Sequence, residues 1–426
     1  MSQSSLWTHF DCVDEDKTRV YLERSKSSPI RLQLIRDNGL SPSDPFFQIT
    51  RQAIGRLNIL YAQGSPEHLQ DITAELSHSA PLLRTLAIHG GCESQPERSP
   101  VLTPTLFNGD LSLLREFCLL CVRTELPWRN MANLTLFILA YMPPGEISVG
   151  QVLDFLECAP HLREIQLHFT TLTPSTQDQR LVSPACLTRV EFDACGPSSL
   201  LLNHLLIPVG AELAIETDSL NSLVEGHFPR SLDNLKNFSN FTTIRLGLDR
   251  SNPGIRFTGP NGQVGMTTAE SQIDPTCLVL ESLAQLDTSK TEQLEINCGD
   301  PPSSDPPYRA LLPMKDLRTL TLSQVNSPHP FIDALDPDMT SSEAVVCPKL
   351  EELVLALRTD GKIFDIKRVI GMVAARELKG TKFKSVRIVG QEKFMQTDVL
   401  ELKKYVSHVE CGPEIHETSN GSHGSD

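Results

Sequence analysis

The residues best suited to do chemistry in this chain are its cysteines, and their spacing speaks against metal binding. Cys118 and Cys121 form the one Cys-x-x-Cys pair among eleven cysteines. A structural zinc ion needs a second Cys or His pair at suitable spacing, and none follows this one. Read as part of a strand, the two thiols point to opposite faces and cannot reach one ion. His9, Asp11 and Cys12 gather three potential ligands within four residues, a lone cluster. His-Glu-x-x-His, Gly-x-Ser-x-Gly and Gly-x-x-x-x-Gly-Lys-Ser/Thr sequences do not occur. Gly259, Gly262 and Gly265 flank an Asn261-Gly262 dipeptide between short alternating runs, which predicts a β-hairpin over 254–266 and not a phosphate cradle. Asp14, Glu15 and Asp16 precede a helical stretch, where acidic side chains favour the positive end of the helix dipole. No catalytic residue, cofactor or metal site is expected.

The elements that would position any functional side chain come from an internal repeat. The pattern apolar-x-x-apolar-x-apolar recurs at Ile54/Leu57/Ile59, Leu83/Leu86/Ile88, Leu114/Phe117/Leu119, Met131/Leu134/Leu136, Leu162/Ile165/Leu167 and Leu187/Val190/Phe192. It returns at Phe241/Ile244/Leu246, Leu317/Leu320/Leu322, Leu350/Leu353/Leu355 and Phe383/Val386/Ile388, with weaker copies at Leu213/Ile215 and Leu294/Ile296. Three copies share a lead-in, Ala80-Pro81, Ala159-Pro160 and Cys347-Pro348. The alternation that closes each copy is the period of a strand with one buried face. Between copies, 148–158 and 365–378 carry apolar residues at helical spacing. The pattern predicts an α/β, leucine-rich-repeat-like solenoid, a horseshoe with a parallel sheet on its concave side, helices outside and irregular repeats. The Asn or Cys that such repeats carry three residues past the last apolar position occurs once, as Cys195. Other contacts must therefore hold the turns.

The expected division is an N-terminal cap over 1–28, the solenoid over 29–411 and a disordered tail over 412–426. Segments 93–104 and 300–308, rich in Pro and Ser, are expected as loops. A net charge of -15 argues against nucleic acid as partner. The one basic stretch, 362–404, holds eleven Lys or Arg against five acids and is expected to be the solvated face of the last repeats. The longest apolar run, 134–142, is about half of the roughly 20 residues a spanning helix needs, so no membrane segment is expected. The first eleven residues lack the pattern of a secretory signal, which points to the cytoplasm or nucleus.

The opening, Leu6-Trp7-Thr8-His9-Phe10-Asp11-Cys12-Val13-Asp14, followed by Arg19-Val20-Tyr21-Leu22-Glu23-Arg24-Ser25 and Pro29-Ile30-Arg31-Leu32-Gln33-Leu34, resembles fungal F-box/leucine-rich-repeat proteins, in which such a segment directly follows the F-box. The resemblance is specific over the opening and architectural beyond it. It implies a short strand around Trp7, a helix from about Thr18 and a first repeat strand at 30–34. In that family the F-box docks on a Skp-type adaptor of a cullin-RING ubiquitin ligase while the repeats hold the substrate. Here five residues precede Leu6, too few for an F-box. The expectation is a solitary repeat domain or a truncated form of a longer chain, with direct binding to adaptor and cullin not implied.

Strand residues flanking the buried pairs would face the concave side: Glu164, Gln166 and His168; Arg189, Glu191 and Asp193; Thr243 and Arg245; Gln293, Glu295 and Asn297; Thr319 and Thr321. Polar and of mixed charge, they suit a protein or peptide ligand on a broad surface. The expected function is therefore non-enzymatic recognition, like that of the substrate-binding part of an F-box receptor. The alternatives are a hydrolase or transferase with its site on strand-end loops, and a remnant without adaptor binding.

Overall fold

Alternation over five or six residues buries one face of a strand and leaves the other open, and most of the repeat copies fold this way. The computed structural model describes residues 6–11, 14–36, 47, 52–91, 99–126, 128, 130–174, 180–217, 227, 234–236, 241–248, 253–268, 280–281, 283–284, 286–297, 303–325, 328–339, 344–357, 364–390 and 394–412. The chain is α/β with mostly parallel strands. It divides into two units, Met1–Asp218 with Val224–Ser239 and Asn261–Val264, and Ser219–Leu223 with Asn240–Pro260 and Gly265–Asp426.

The strands of the first unit are β1 (His9–Phe10), β2 (Ile30–Arg36), β3 (Leu57–Gly64), β4 (Thr85–His89), β5 (Val101–Leu102), β6 (Glu116–Leu120), β7 (Arg123–Thr124), β8 (Leu136–Ala140), β9 (Glu164–His168), β10 (Arg189–Asp193) and β11 (Glu212–Thr217). Apart from the separate β5–β7 pair, each lies parallel to the next in chain order. Register aligns Leu32, Leu60, Leu86, Phe117, Phe137, Ile165, Val190 and Leu213 as one buried row. Leu34, Ala62, Ile88, Leu119, Leu139, Leu167, Phe192 and Ile215 form a second. Full burial of each large side chain stabilises the fold by about 1.5–3 kcal/mol.

Two repeat copies need correction. The buried pair of β3 is Leu60 and Ala62, with Ile59 half-buried on the opposite face, and Ile54 lies in a 3-10 turn. The buried pair of β8 is Phe137 and Leu139, with Leu136 on the open face. In both, an apolar residue three places early matched the pattern as well as the true one did.

Helix α1 (Glu15–Ser25) starts where Asp14 accepts a hydrogen bond from the Lys17 N–H at 2.9 Å, three residues ahead of the expected start. The segment before β1 is a 3-10 turn around Trp7 instead of a strand. Helix α2 (Pro66–Glu75) buries Leu69 and Ile72, and α3 (Val149–Cys158) opens on a Ser148/Gln151 capping box and buries Val149, Val152, Leu153, Phe155 and Leu156. A single turn, α4 (Ser199–Leu202), follows β10. Trp128, Phe117, Phe137 and Phe155 run through its core with successive ring centroids 4.8, 5.7 and 4.3 Å apart.

The turns are held by backbone geometry. Directly after β6, β8, β9 and β10, Cys121, Tyr141, Phe169 and Ala194 adopt φ of 53°, 57°, 47° and 45°. Each donates its N–H to a carbonyl at the end of the following strand, the last at Ala140, His168 and Asp193 and the last but one at Glu216, over 2.9, 2.9, 2.7 and 2.9 Å. Left-handed backbone costs an L-residue about 1–2 kcal/mol, offset here by carrying the ladder one step past the strand end. Cys195, the one side chain of ladder type, donates its thiol to the Leu167 carbonyl at 2.9 Å.

The second unit contains β12 (Thr243–Leu248), β13 (Pro253–Gly259), β14 (Gly262–Thr268, in this unit from Gly265), β15 (Gln293–Asn297), β16 (Thr319–Val325), β17 (Glu352–Leu357), β18 (Ser385–Val389) and β19 (His408–Gly412). Strands β12, β15, β16, β17, β18 and β19 are parallel in that order, aligning Ile244, Leu294, Leu320, Leu353 and Val386 in one buried row. The expected hairpin is present as β13–β14, turning at Pro260 and Asn261 with Gly262 at φ 135°. It does not hang outside the ladder as an insertion: β13 pairs antiparallel with the other edge of β12. The succession of parallel rungs is interrupted there.

Among the described residues of this unit lie the helices α5 (Asp305–Leu311), α6 (His329–Leu335), α7 (Ile366–Leu378) and α8 (Gln396–Leu402), and Leu280, Glu281 and Leu283 are also helical. Asp365 caps α7 by accepting from the Lys367 N–H at 3.1 Å. One residue of the basic stretch departs from its expected place on the solvated face: Arg376 is fully buried. It lies on the apolar face of α7 with Ile366, Val369 and Val373, and its guanidinium donates to the carbonyls of Val346 and Cys347, both at 2.7 Å, and of Leu335 at 3.3 Å. Lys362 and Lys393, segments 92–98 and 298–302, and the tail beyond Gly412 fall outside the described residues; in the described parts of the two expected loops, Val101–Leu102 is a strand and Asp305 starts a helix.

Candidate functional site

Because successive strand side chains alternate, every residue flanking a buried pair lies on the face turned away from the core. In the first unit this joins the six candidates of β9 and β10 into one network. Register sets Glu164 beside Arg189, Gln166 beside Glu191 and His168 beside Asp193. The Gln166 amide donates to Glu164 at 2.6 Å, and His168 bridges Gln166 at 3.1 Å and Asp193 at 3.0 Å. Arg189 donates to Glu191 at 2.7 Å, with its Nε 3.6 Å from Glu164. Burial works against the Arg189 charge, but Glu191, then Glu212 and Glu164, outweigh it and hold its pKa above the ordinary value. Glu212 and Glu216 extend the same face on β11.

The network continues into residues that sequence reasoning passed over. On the middle row Cys118 of β6 and Ile138 of β8 precede Gln166 and Glu191. On the flanking rows stand Leu136 and Leu120, and all four of these apolar or thiol side chains are half-buried. The signal was the unbroken apolar run 136–140, which marks a strand with apolar residues on both faces. At the strand ends Tyr141 and Phe169 stack with ring centroids 4.6 Å apart and planes 5° from parallel, and Phe169 is 43% exposed.

No protein-family model matches the chain, and no curated protein matches it.

In the second unit the remaining candidates form a second group. The Arg245 Nε lies 3.0 Å from Glu295, and the Thr243 hydroxyl donates to Gln293 at 3.4 Å. Thr319 lies between Gln293 and Glu352 and donates to the latter at 3.2 Å. Thr321 takes the row of Glu295 and Val354, and Asn297 the row of Gly247. The candidates thus belong to two groups, one in each unit.

The possible chemical residues fall apart in space. Cys118 is on the open face of β6, while Cys121 lies buried beyond the strand end. Burial, and then Glu116, pushes the Cys118 thiol up to about 11, which keeps it protonated at neutral pH. His9 is exposed on β1, and Cys12 is outside the described residues. Among the described residues no three His, Cys, Asp or Glu are grouped to hold a metal ion, and no helix is long and apolar enough to cross a membrane.

Proposed function

We propose that this chain is a non-enzymatic protein-recognition module: a leucine-rich-repeat-like solenoid whose concave side is the open strand face, working in the cytoplasm or nucleus. It would act as the substrate-binding part of an F-box ubiquitin-ligase receptor does, the family its opening residues resemble. The observation that carries this reading is the row Cys118, Ile138, Gln166 and Glu191, where half-buried apolar side chains adjoin a bonded network of charged ones. Protein interfaces combine an apolar centre with a polar rim in this way. The strand-end hydrolase or transferase has less support. The large pKa displacements among described residues fall on Cys347 and Arg376 inside the core and on Cys118, which is pushed away from reactivity.

Affinity purification from the native host, comparing the natural chain with Ile138→Glu and Glu191→Lys, tests this. We expect one set of proteins with the natural chain and its loss with both variants, far-UV circular dichroism being unchanged. Identical recoveries from all three chains would refute the assignment of this face. Adaptor and cullin among the recovered proteins would place the chain in a ligase.

A further inference from the structure

We infer that a hollow in the open face of the second unit is a binding site for a small monocarboxylate. Strand β12 buries Ile244 and Leu246 and turns Arg245 and Gly247 outward. Its antiparallel partner β13 sets Arg256 directly opposite Arg245 and Gly254 directly opposite Gly247. Two arginines therefore stand on one row, and beside them is a row with no side chains. On the other edge of β12 these rows continue into Glu295 and Asn297 of β15. The resulting cleft has a volume of about 270 Å³, and Thr267 also lines it.

The two glycines have different causes. A Cβ on Gly254 would come within 2.3 Å of the Met266 carbonyl oxygen, so the approach of β14 requires glycine there. A Cβ on Gly247 would meet nothing within 4 Å, and its φ lies outside the left-handed region. Neither packing nor conformation calls for glycine at 247, where it weakens the strand. What its missing side chain does is leave the floor of the cleft open.

The charges define the ligand. Like charges directly opposite across an antiparallel pair repel. Arg245 has Glu295 at 3.0 Å, whereas Arg256, exposed on the same face, makes no ion pair among the described residues. Two guanidiniums against one carboxylate leave one positive charge in excess. A guanidinium fork matches the two oxygens of a carboxylate, and Asn297 and Thr267 add neutral donors on the cleft wall. A phosphate dianion would exceed the available charge and meet repulsion from Glu295. The cleft is slightly smaller than the roughly 300 Å³ at which sites for drug-sized ligands begin, which suits a small acid.

This inference is independent of the protein-recognition reading, which rests on the other unit. The test is isothermal titration of the purified full chain with acetate, lactate, benzoate and, as the dianionic control, inorganic phosphate. We expect saturable binding of at least one monocarboxylate and at least tenfold weaker binding of phosphate. Gly247→Leu puts a side chain into the hollow from a position where a Cβ meets nothing within 4 Å, and Arg256→Gln removes the unpaired cation; each should weaken carboxylate binding at least tenfold at an unchanged melting temperature. Absence of saturable carboxylate binding, tighter binding of phosphate, or undiminished binding by Arg256→Gln would overturn it. Should Gly247→Leu fail to fold, Arg256→Gln still decides.

Discussion

The guanidinium of Arg376 donates a 2.7 Å hydrogen bond to the main-chain carbonyl of Cys347, tying the last turn of α7 to the Cys347-Pro348 lead-in of β17. A second 2.7 Å bond to the Val346 carbonyl fixes the same segment, and the guanidinium lies over the Phe383 ring at 5.2 Å. Cys347 itself has φ 47°, and its thiol donates a hydrogen bond to the Leu311 carbonyl at 3.3 Å. Replacing Arg376 by Met removes the guanidinium from the Val346 carbonyl and leaves the Cys347 carbonyl with the Leu350 N–H at 3.1 Å; a buried group left unsatisfied costs about 1–3 kcal/mol. Chemical denaturation of Arg376→Met should show a loss of about 1–3 kcal/mol, with Arg376→Lys intermediate because a point charge cannot reproduce the fork. Equal stability of Arg376→Met and the natural chain would remove this clamp from the account.

Alkaline pH should expose the buried thiol. Burial pushes Cys347 from 9.0 up to about 12, so in the folded chain it keeps a proton that the unfolded chain has released. The folded state then binds more protons, and stability falls as pH rises above 9.0, by up to about 1.4 kcal/mol per unit. Arg376, lowered by burial from its ordinary value to about 10, works the other way above pH 10, where the folded chain has lost a proton that the unfolded chain retains. The net loss from this pair is therefore steepest between pH 9 and 10. Unfolding free energies at pH 7.5, 9 and 10 should show a decline that is reduced in Cys347→Ala; an undiminished decline in that variant would contradict the assignment.

The left-handed turn residues predict opposite effects at two sites. Ala194 has φ 45°, so Ala194→Gly should raise the unfolding free energy by about 0.5–1 kcal/mol, the relief of strain exceeding the added freedom of the unfolded chain. Gly390, at φ 96° with its amide bonded to the Gly412 carbonyl at 3.2 Å, leaves a Cβ only 2.1 Å from the Leu357 carbonyl oxygen. Gly390→Ala should therefore cost about 2 kcal/mol or more. Thermal melts of the two variants check the sign at each site, and a stabilised Gly390→Ala would be incompatible with this turn.

Sequence periodicity located most of the strands because the alternation in Leu86-Ala87-Ile88 or Leu320-Thr321-Leu322 is local and has one solution with a buried pair. It misjudged phase where more than one solution existed. In 134–140 either Leu134 and Leu136 or Phe137 and Leu139 can pose as the buried pair, and only pairing with neighbours decides for the second. The same ambiguity hid Leu136 and Ile138 from the list of surface residues. The helical spacing of Ile366, Val369 and Val373 already placed Arg376 on an apolar face, but the density of charge around it suggested solvent.

By itself the sequence determined the α/β class, most of the strand positions, the helical segments that begin at Ser148 and Asp365 and the presence of a hairpin near Asn261, since each depends on residues within a few positions of one another. Tertiary structure alone decided that β13 enters the ladder beside β12, that His168 meets Asp193, and that Arg245 faces Arg256 over a floor of glycine. Those relationships join residues brought together by strand order and register. Register is set by the fit of whole rows of side chains, a property of neighbouring strands that no single segment contains.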